Sequence, residues 1–235
     1  MAIKTESVQI KSKGGTFSGF FAAPQGGAPV PGVVVIQEIF GVNSHMRDMC
    51  QRFANAGYAA LAPDLFYHVQ PGIELGYTPD DIAKGREIRG KLDNDATVDD
   101  VRAAFEVLRA RPETKGKQAG ITGYCWGGFI TYLAACRLKP DAAAAYYGGG
   151  IVNFLGEADH IKAPIQFHFG EKDPGIPMAE VDQLKAKLKG RANAEVFVYP
   201  NADHGFNCND RGSYLEAAAK QAWQRTMDHF GKHLK

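Results

Sequence analysis

Gly32–Glu38 reads Gly-Val-Val-Val-Ile-Gln-Glu, a β-branched run of the kind found in a strand covered on both faces. Short apolar runs recur at Tyr58–Pro63, Ala119–Gly123, Ala142–Tyr147, Pro164–Phe169 and Ala194–Tyr199. Helical patterns alternate with them. His45–Ala56 sets Met46, Met49, Cys50 and Phe53 on one side, with Gly57 as a stop. Asp80–Leu92 reads as a helix, and Asp95–Arg111 lines up Val98, Val101, Phe105 and Leu108. Phe129–Cys136 and a long closing segment, Ser213–Leu234, complete the helices. Val8–Ile10 and Phe17–Ala22 flank Lys13-Gly14-Gly15, which predicts an opening antiparallel hairpin. This alternation predicts an α/β fold with a mostly parallel, doubly wound sheet. No stretch reads as a linker; the nearest, Gln25–Pro31, is a short loop rich in turn formers, so residues 1–235 read as a single domain.

The charge balance narrows the function. The 27 Lys+Arg and 26 Asp+Glu leave a formal charge of +1, whereas coating nucleic acid or an anionic membrane needs a strong basic field. The longest aliphatic run, Val33–Ile36, is far below the roughly 20 residues that span a bilayer. The opening MAIKTESVQI has no charged-then-apolar leader pattern, so a cytoplasmic protein is expected. Four cysteines, Cys50, Cys125, Cys136 and Cys208, are too few for a disulfide scaffold in a chain of this length and read as free thiols.

In parallel sheets of this type, functional loops gather at the C-terminal ends of the strands. One such end reads Gly123-Tyr124-Cys125-Trp126-Gly127-Gly128, between an apolar strand and a helix. With Cys in place of Ser it fits the G-x-S-x-G nucleophile elbow. Glycines two before and two after the central residue are needed because the strained turn draws those backbones together. The helix N-terminus behind Cys125 favours a thiolate.

A nucleophile needs a base and a residue to orient it. This fold supplies them in the order nucleophile, acid, His. Asp173 follows the strand Pro164–Phe169, and His204 follows Ala194–Tyr199. Glu171 and Asp203 are rival carboxylates on the same loops. Three candidates at three strand ends in the right order point to acyl transfer, with His204 as the proton carrier and Asp173 orienting it.

Gln37-Glu38-Ile39-Phe40-Gly41, Ala62-Pro63-Asp64-Leu65, the Cys125 elbow and Tyr146-Tyr147-Gly148 together resemble the dienelactone hydrolase family of the α/β-hydrolase superfamily, over nearly the whole chain. The resemblance implies hydrolysis of a small ester or lactone through a thioester acyl-enzyme, with no metal or organic cofactor. It matches Cys125, Asp173 and His204 to the family's triad, and Glu38 to the glutamate beside the resting thiol. The expected oxyanion donors are the backbone N–H groups of Trp126 and Ile39. No nucleic-acid or membrane partner is implied, and the chain is expected to be a monomer or small homo-oligomer.

Dienelactone-hydrolysing members grip the substrate carboxylate with arginines. Arg86, or Lys84, matches one of them, and Tyr147 is a further expected substrate contact. The second family arginine falls at Cys208 and the family's Ser after the catalytic His falls at Gly205, so one arm of the anion clamp is missing. That predicts a weaker preference for anionic lactones, with a contribution from Arg211 on the following loop left open by the sequence.

Other clusters carry less. His229 and His233, at i and i+4, lack the intervening Glu of a zinc helix and read as a solvated helix end. The acidic run from Asp93 reads as helix capping, and Gly148–Gly150 lacks a nucleotide-binding spacing. Cys50 and Cys136 fall on apolar helix faces and read as core residues.

Overall fold

A computed structural model describes residues 2–235. Contacts divide the chain into two compact units. One reaches to Ile121 and includes Leu234 and Lys235, and the other is Thr122–His233. The boundary falls inside a strand, so the first unit ends and the second begins on the same element.

The first unit opens with β1 (Ile3–Ser12) and β2 (Gly15–Pro24), an antiparallel hairpin in register from Ile3 opposite Pro24 to Ser12 opposite Gly15. Both strands are longer than their apolar cores suggest, because β1 is a mainly polar edge strand held by its ladder to β2. β3 (Gly32–Ile36) and β4 (Ala59–Pro63) pair in parallel, and β2 pairs antiparallel with β4. With β5 (Ala119–Tyr124) the order is β1-β2-β4-β3-β5. β3 and β4 are buried at every position, as their apolar runs require. Each fully buried Val, Leu or Ile contributes about 1.5–3 kcal/mol.

α1 (Ser44–Asn55) buries Met46, Met49, Cys50 and Phe53, the face read from its spacing. α2 (Pro79–Gly90) starts at a reciprocal Thr78–Asp81 capping box. Asp93 caps α3 (Asn94–Ala110) by accepting the Asp95 and Ala96 N–H groups, so this acidic run is a helix start. Burial pushes the Cys50 thiol up, as suits a small core residue.

The second unit carries the end of β5 and continues through β6 (Ala143–Tyr146) and β7 (Ile165–Gly170) to β8 (Ala194–Tyr199), with β6/β7 and β7/β8 parallel. α4 (Trp126–Arg137) follows β5 directly, α5 (Met178–Leu188) lies between β7 and β8, and α6 (Glu216–His233) closes the chain. A 3₁₀ segment, Ile151–His160, is kinked at Phe154. Burial drives Cys136 up to about 12.

Two expectations are corrected in α6. The helix begins at Glu216 rather than Ser213, whose hydroxyl instead donates to the His204 carbonyl at 2.7 Å. His229 is 6% exposed rather than solvated; its Nε2 lies 3.3 Å from the Pro164 carbonyl, and burial lowers its pKa to about 4. Among the described residues, no helix is long and apolar enough to cross a membrane.

Candidate active site

Cys125 occupies the turn between β5 and α4 with φ 56° and ψ −121°. A left-handed backbone at a residue with a side chain costs about 1–3 kcal/mol and persists only when its surroundings fix it. They do so here. The Cys125 N–H donates to the Tyr146 carbonyl (3.1 Å), and its own carbonyl accepts from Gly128 (2.9 Å) and Phe129 (3.3 Å). A Cβ on Gly123 would fall 2.2 Å from the Gly127 carbonyl oxygen, the close approach that the elbow motif predicts. Two further glycines matter. A Cβ on Gly128 would meet the Tyr146 carbonyl oxygen at 2.2 Å, and one on Gly148 the Phe129 nitrogen at 2.6 Å. The start of α4 is thereby pressed onto the end of β6, leaving Cys125 at a helix N-terminus and partly exposed.

Asp173 and His204 meet beyond β7 and β8. Asp173 Oδ2 lies 2.7 Å from His204 Nδ1, and its Oδ1 accepts the Gly175 N–H at 2.8 Å. With both oxygens engaged and the side chain buried, the carboxylate has one orientation. The two loops are laced together, with Glu171 N–H donating to the Tyr199 carbonyl (3.0 Å) and Lys172 N–H to that of Ala202 (2.8 Å). Gly170 permits this approach. The rival carboxylates are occupied elsewhere: Glu171 accepts the Asn201 N–H at 3.0 Å, and Asp203 accepts the His204 backbone N–H.

His204 is hydrogen-bonded to the Cys125 side chain as well as to Asp173. Burial works against a charged ring, but the neighbouring Cys125 side chain and the Asp173 hydrogen bond outweigh it and raise His204 to about 10. The Tyr147 ring stands beside the imidazole, with centroids 5.1 Å apart. Tyr147 itself has φ 36°, and its N–H is held by the His168 carbonyl at 2.7 Å. His168 is a neutral core histidine, lowered to about 3 by burial and bonded to Tyr199 and Thr226.

Cys125, Trp126, Tyr147, Asp173 and His204 thus belong to the second unit, with Trp126 opening α4. Glu38, Ile39, Lys84 and Arg86 belong to the first. Glu38 is 1% exposed just after β3, and Ile39 is half-buried. A Cβ on Gly85 of α2 would fall 2.1 Å from the Ile39 carbonyl oxygen, so α2 lies directly against this segment. Lys84 and Arg86 are exposed on α2, and Lys84 pairs with Glu87.

Cys208 is fully buried and its N–H donates to the Gly205 carbonyl at 2.9 Å. The guanidinium of Arg211 lies over Gly205. A Cβ there would fall 2.4 Å from Nη1, 2.6 Å from Cζ and 2.9 Å from Nε. The one sequence signal for this contact is the glycine directly after the histidine.

The fold and this site define an α/β-hydrolase. The family model described as the dienelactone hydrolase family matches residues 17–234, and the chain belongs to that family. It is 38% identical over 242 residues to a Synechocystis protein, covering 99% of this chain and 98% of that one. It is 34% identical over 228 residues to the carboxymethylenebutenolidase of Pseudomonas putida, covering 95% of each. The crystal structure of a Klebsiella pneumoniae relative, 34% identical, superposes with a TM-score of 0.88 over 99% of this chain and 100% of that one. The chain is accordingly a hydrolase of ester or lactone bonds.

Proposed function

We propose that the chain cleaves a small carboxylic ester or lactone with Cys125 as nucleophile, His204 as proton carrier and Asp173 as its orienting partner. The observation that carries this reading is the continuous contact from the Cys125 side chain through His204 to Asp173, anchored on a left-handed backbone at Cys125. The Cys125 sulfur adds to the carbonyl carbon, and the resulting oxyanion takes hydrogen bonds from the Trp126 and Ile39 N–H groups. On collapse the carbon–oxygen bond breaks, His204 protonates the departing alkoxide, and a thioester remains on Cys125. Water then adds to the thioester while His204 takes its proton, and the thiolate leaves as the acid product forms. Glu38 serves the resting state: it holds the thiol neutral and takes up its proton when substrate enters, sparing Cys125 from oxidation between turnovers.

The same reading assigns the substrate a carboxylate. Arg211, placed over Gly205 next to the catalytic histidine, offers the forked donor that Cys208 lacks. Lys84 and Arg86 are the remaining candidates for the other arm. The test is a side-by-side screen of dienelactones and simple aryl esters on wild type and Cys125→Ala. Hydrolysis by wild type that is lost in the variant supports the reading.

A further inference from the structure

Glu38 is packed under a loop of its own unit. The segment Asp64–Thr78 folds back over residues 38–43: the Leu75 N–H donates to the Phe40 carbonyl at 2.9 Å, and Gly41 bridges Glu74. A Cβ on Gly41 would fall 1.8 Å from the Ile73 carbonyl oxygen, so only glycine at φ 77° admits the loop this closely. At the end of the loop Tyr77 packs edge-on against Phe40, with centroids 4.7 Å apart. Its hydroxyl oxygen lies 3.2 Å from Asn43 Nδ2 and 3.5 Å from Glu38 Oε2.

The direction of this chain of hydrogen bonds is determined by backbone groups. Asn43 Oδ1 caps α1 by accepting the Met46 N–H at 3.3 Å, and its Nδ2 also donates to the Leu75 carbonyl at 3.0 Å. A backbone N–H only donates and a carbonyl only accepts, so the amide has one orientation. Its nitrogen therefore donates to the Tyr77 oxygen. That leaves the phenolic hydrogen for Glu38. A ring nitrogen of His45, on α1, also comes within 4.8 Å of a Glu38 carboxylate oxygen.

We infer that Tyr77 is a positioning residue for Glu38, holding the carboxylate in its working orientation through a hydroxyl that Asn43 has already oriented. The inference rests on the role given to Glu38 above. Glu38 acts on the thiol, and Tyr77 acts through Glu38. Losing the phenolic hydrogen bond loosens the hold on the carboxylate's working orientation, which slows proton transfer without weakening substrate binding.

The experiment is a double-mutant cycle on an aryl ester with wild type, Tyr77→Phe, Glu38→Gln and the pair, together with the rate of iodoacetamide alkylation at Cys125. Tyr77→Phe keeps the ring against Phe40, so the fold is retained. The expected result is a kcat lower by roughly three- to tenfold, the value of one hydrogen bond, with KM within about twofold. The alkylation rate also changes, and Tyr77→Phe has no further effect in the Glu38→Gln background. An unchanged kcat in Tyr77→Phe, or an equal loss in both backgrounds, overturns the inference while leaving the role of Glu38 standing. If Glu38→Gln alone changes neither turnover nor alkylation, the role of Glu38 falls and the inference with it.

Discussion

Gly170 ends β7 so close to Ala202 that a Cβ on it would lie 2.4 Å from the Ala202 carbonyl oxygen. That contact lets the loop bearing Asp173 and the loop bearing His204 run side by side. Gly170→Ala must therefore push them apart. Overpacking of this kind costs about 1–3 kcal/mol, or several degrees of Tm in a chain of this size. The larger effect falls on turnover: a displacement near 1 Å at the histidine lowers kcat by roughly a hundredfold. Gly156→Ala, where nothing lies within 4 Å, is the control expected to change neither. Calorimetry and kcat on the two variants decide the matter.

The sequence exposes what periodicity and strand ends can encode. Cys125, Asp173 and His204 are legible because each lies in the short loop that follows an apolar run. α5 is not, because it starts at Met178 behind Pro177, which provides no side-chain cap, and its buried Val181, Leu184 and Leu188 are too few to announce a helix. β1 is legible only at Val8–Ile10, since an edge strand is held by backbone bonds that leave no apolar pattern. The burial of His229 escapes an i, i+4 reading because it depends on the Pro164 carbonyl, far away in sequence. Arg211 over Gly205 is likewise a meeting within an irregular loop, where no periodicity operates.

The raised pKa of His204 gives a pH signature. Its value in the folded chain, about 10, stands above the ordinary 6.5. The resulting stabilisation is fully present below about pH 6.5 and is lost as pH rises through about 10. Cys125→Ala removes the largest contribution holding the value up, so the His204 ring in that variant should titrate well below 10. Ring-proton NMR across this range measures it. A His204 that still titrates near 10 without the sulfur would contradict the part given to Cys125 in raising it.

Arg211→Ala tests the carboxylate reading. The variant should lose roughly ten- to a hundredfold in kcat/KM for a carboxylated lactone and little for its neutral ester. The neutral ester reports whether the loop and catalytic groups remain intact. Equal losses on both substrates would assign Arg211 to holding the 205–215 loop in place instead. A preference for the anion that survives the change would place the carboxylate elsewhere, with Arg86 the next residue to replace.

Iodoacetamide should label Cys125 ahead of the other three thiols. Cys50, Cys136 and Cys208 are buried, and burial holds Cys50 and Cys136 in the protonated form, whereas Cys125 is partly exposed beside His204. Peptide mass spectrometry after brief labelling should find most of the adduct on the peptide containing Cys125. Labelling spread evenly over the four would contradict this.

Rapid acid quenching during turnover of a slow aryl ester, followed by intact and peptide mass analysis, tests the thioester directly. The account predicts one acyl group per chain, carried on Cys125, in wild type, and neither adduct nor turnover in Cys125→Ala. Hydrolysis at the wild-type rate in Cys125→Ala would contradict it.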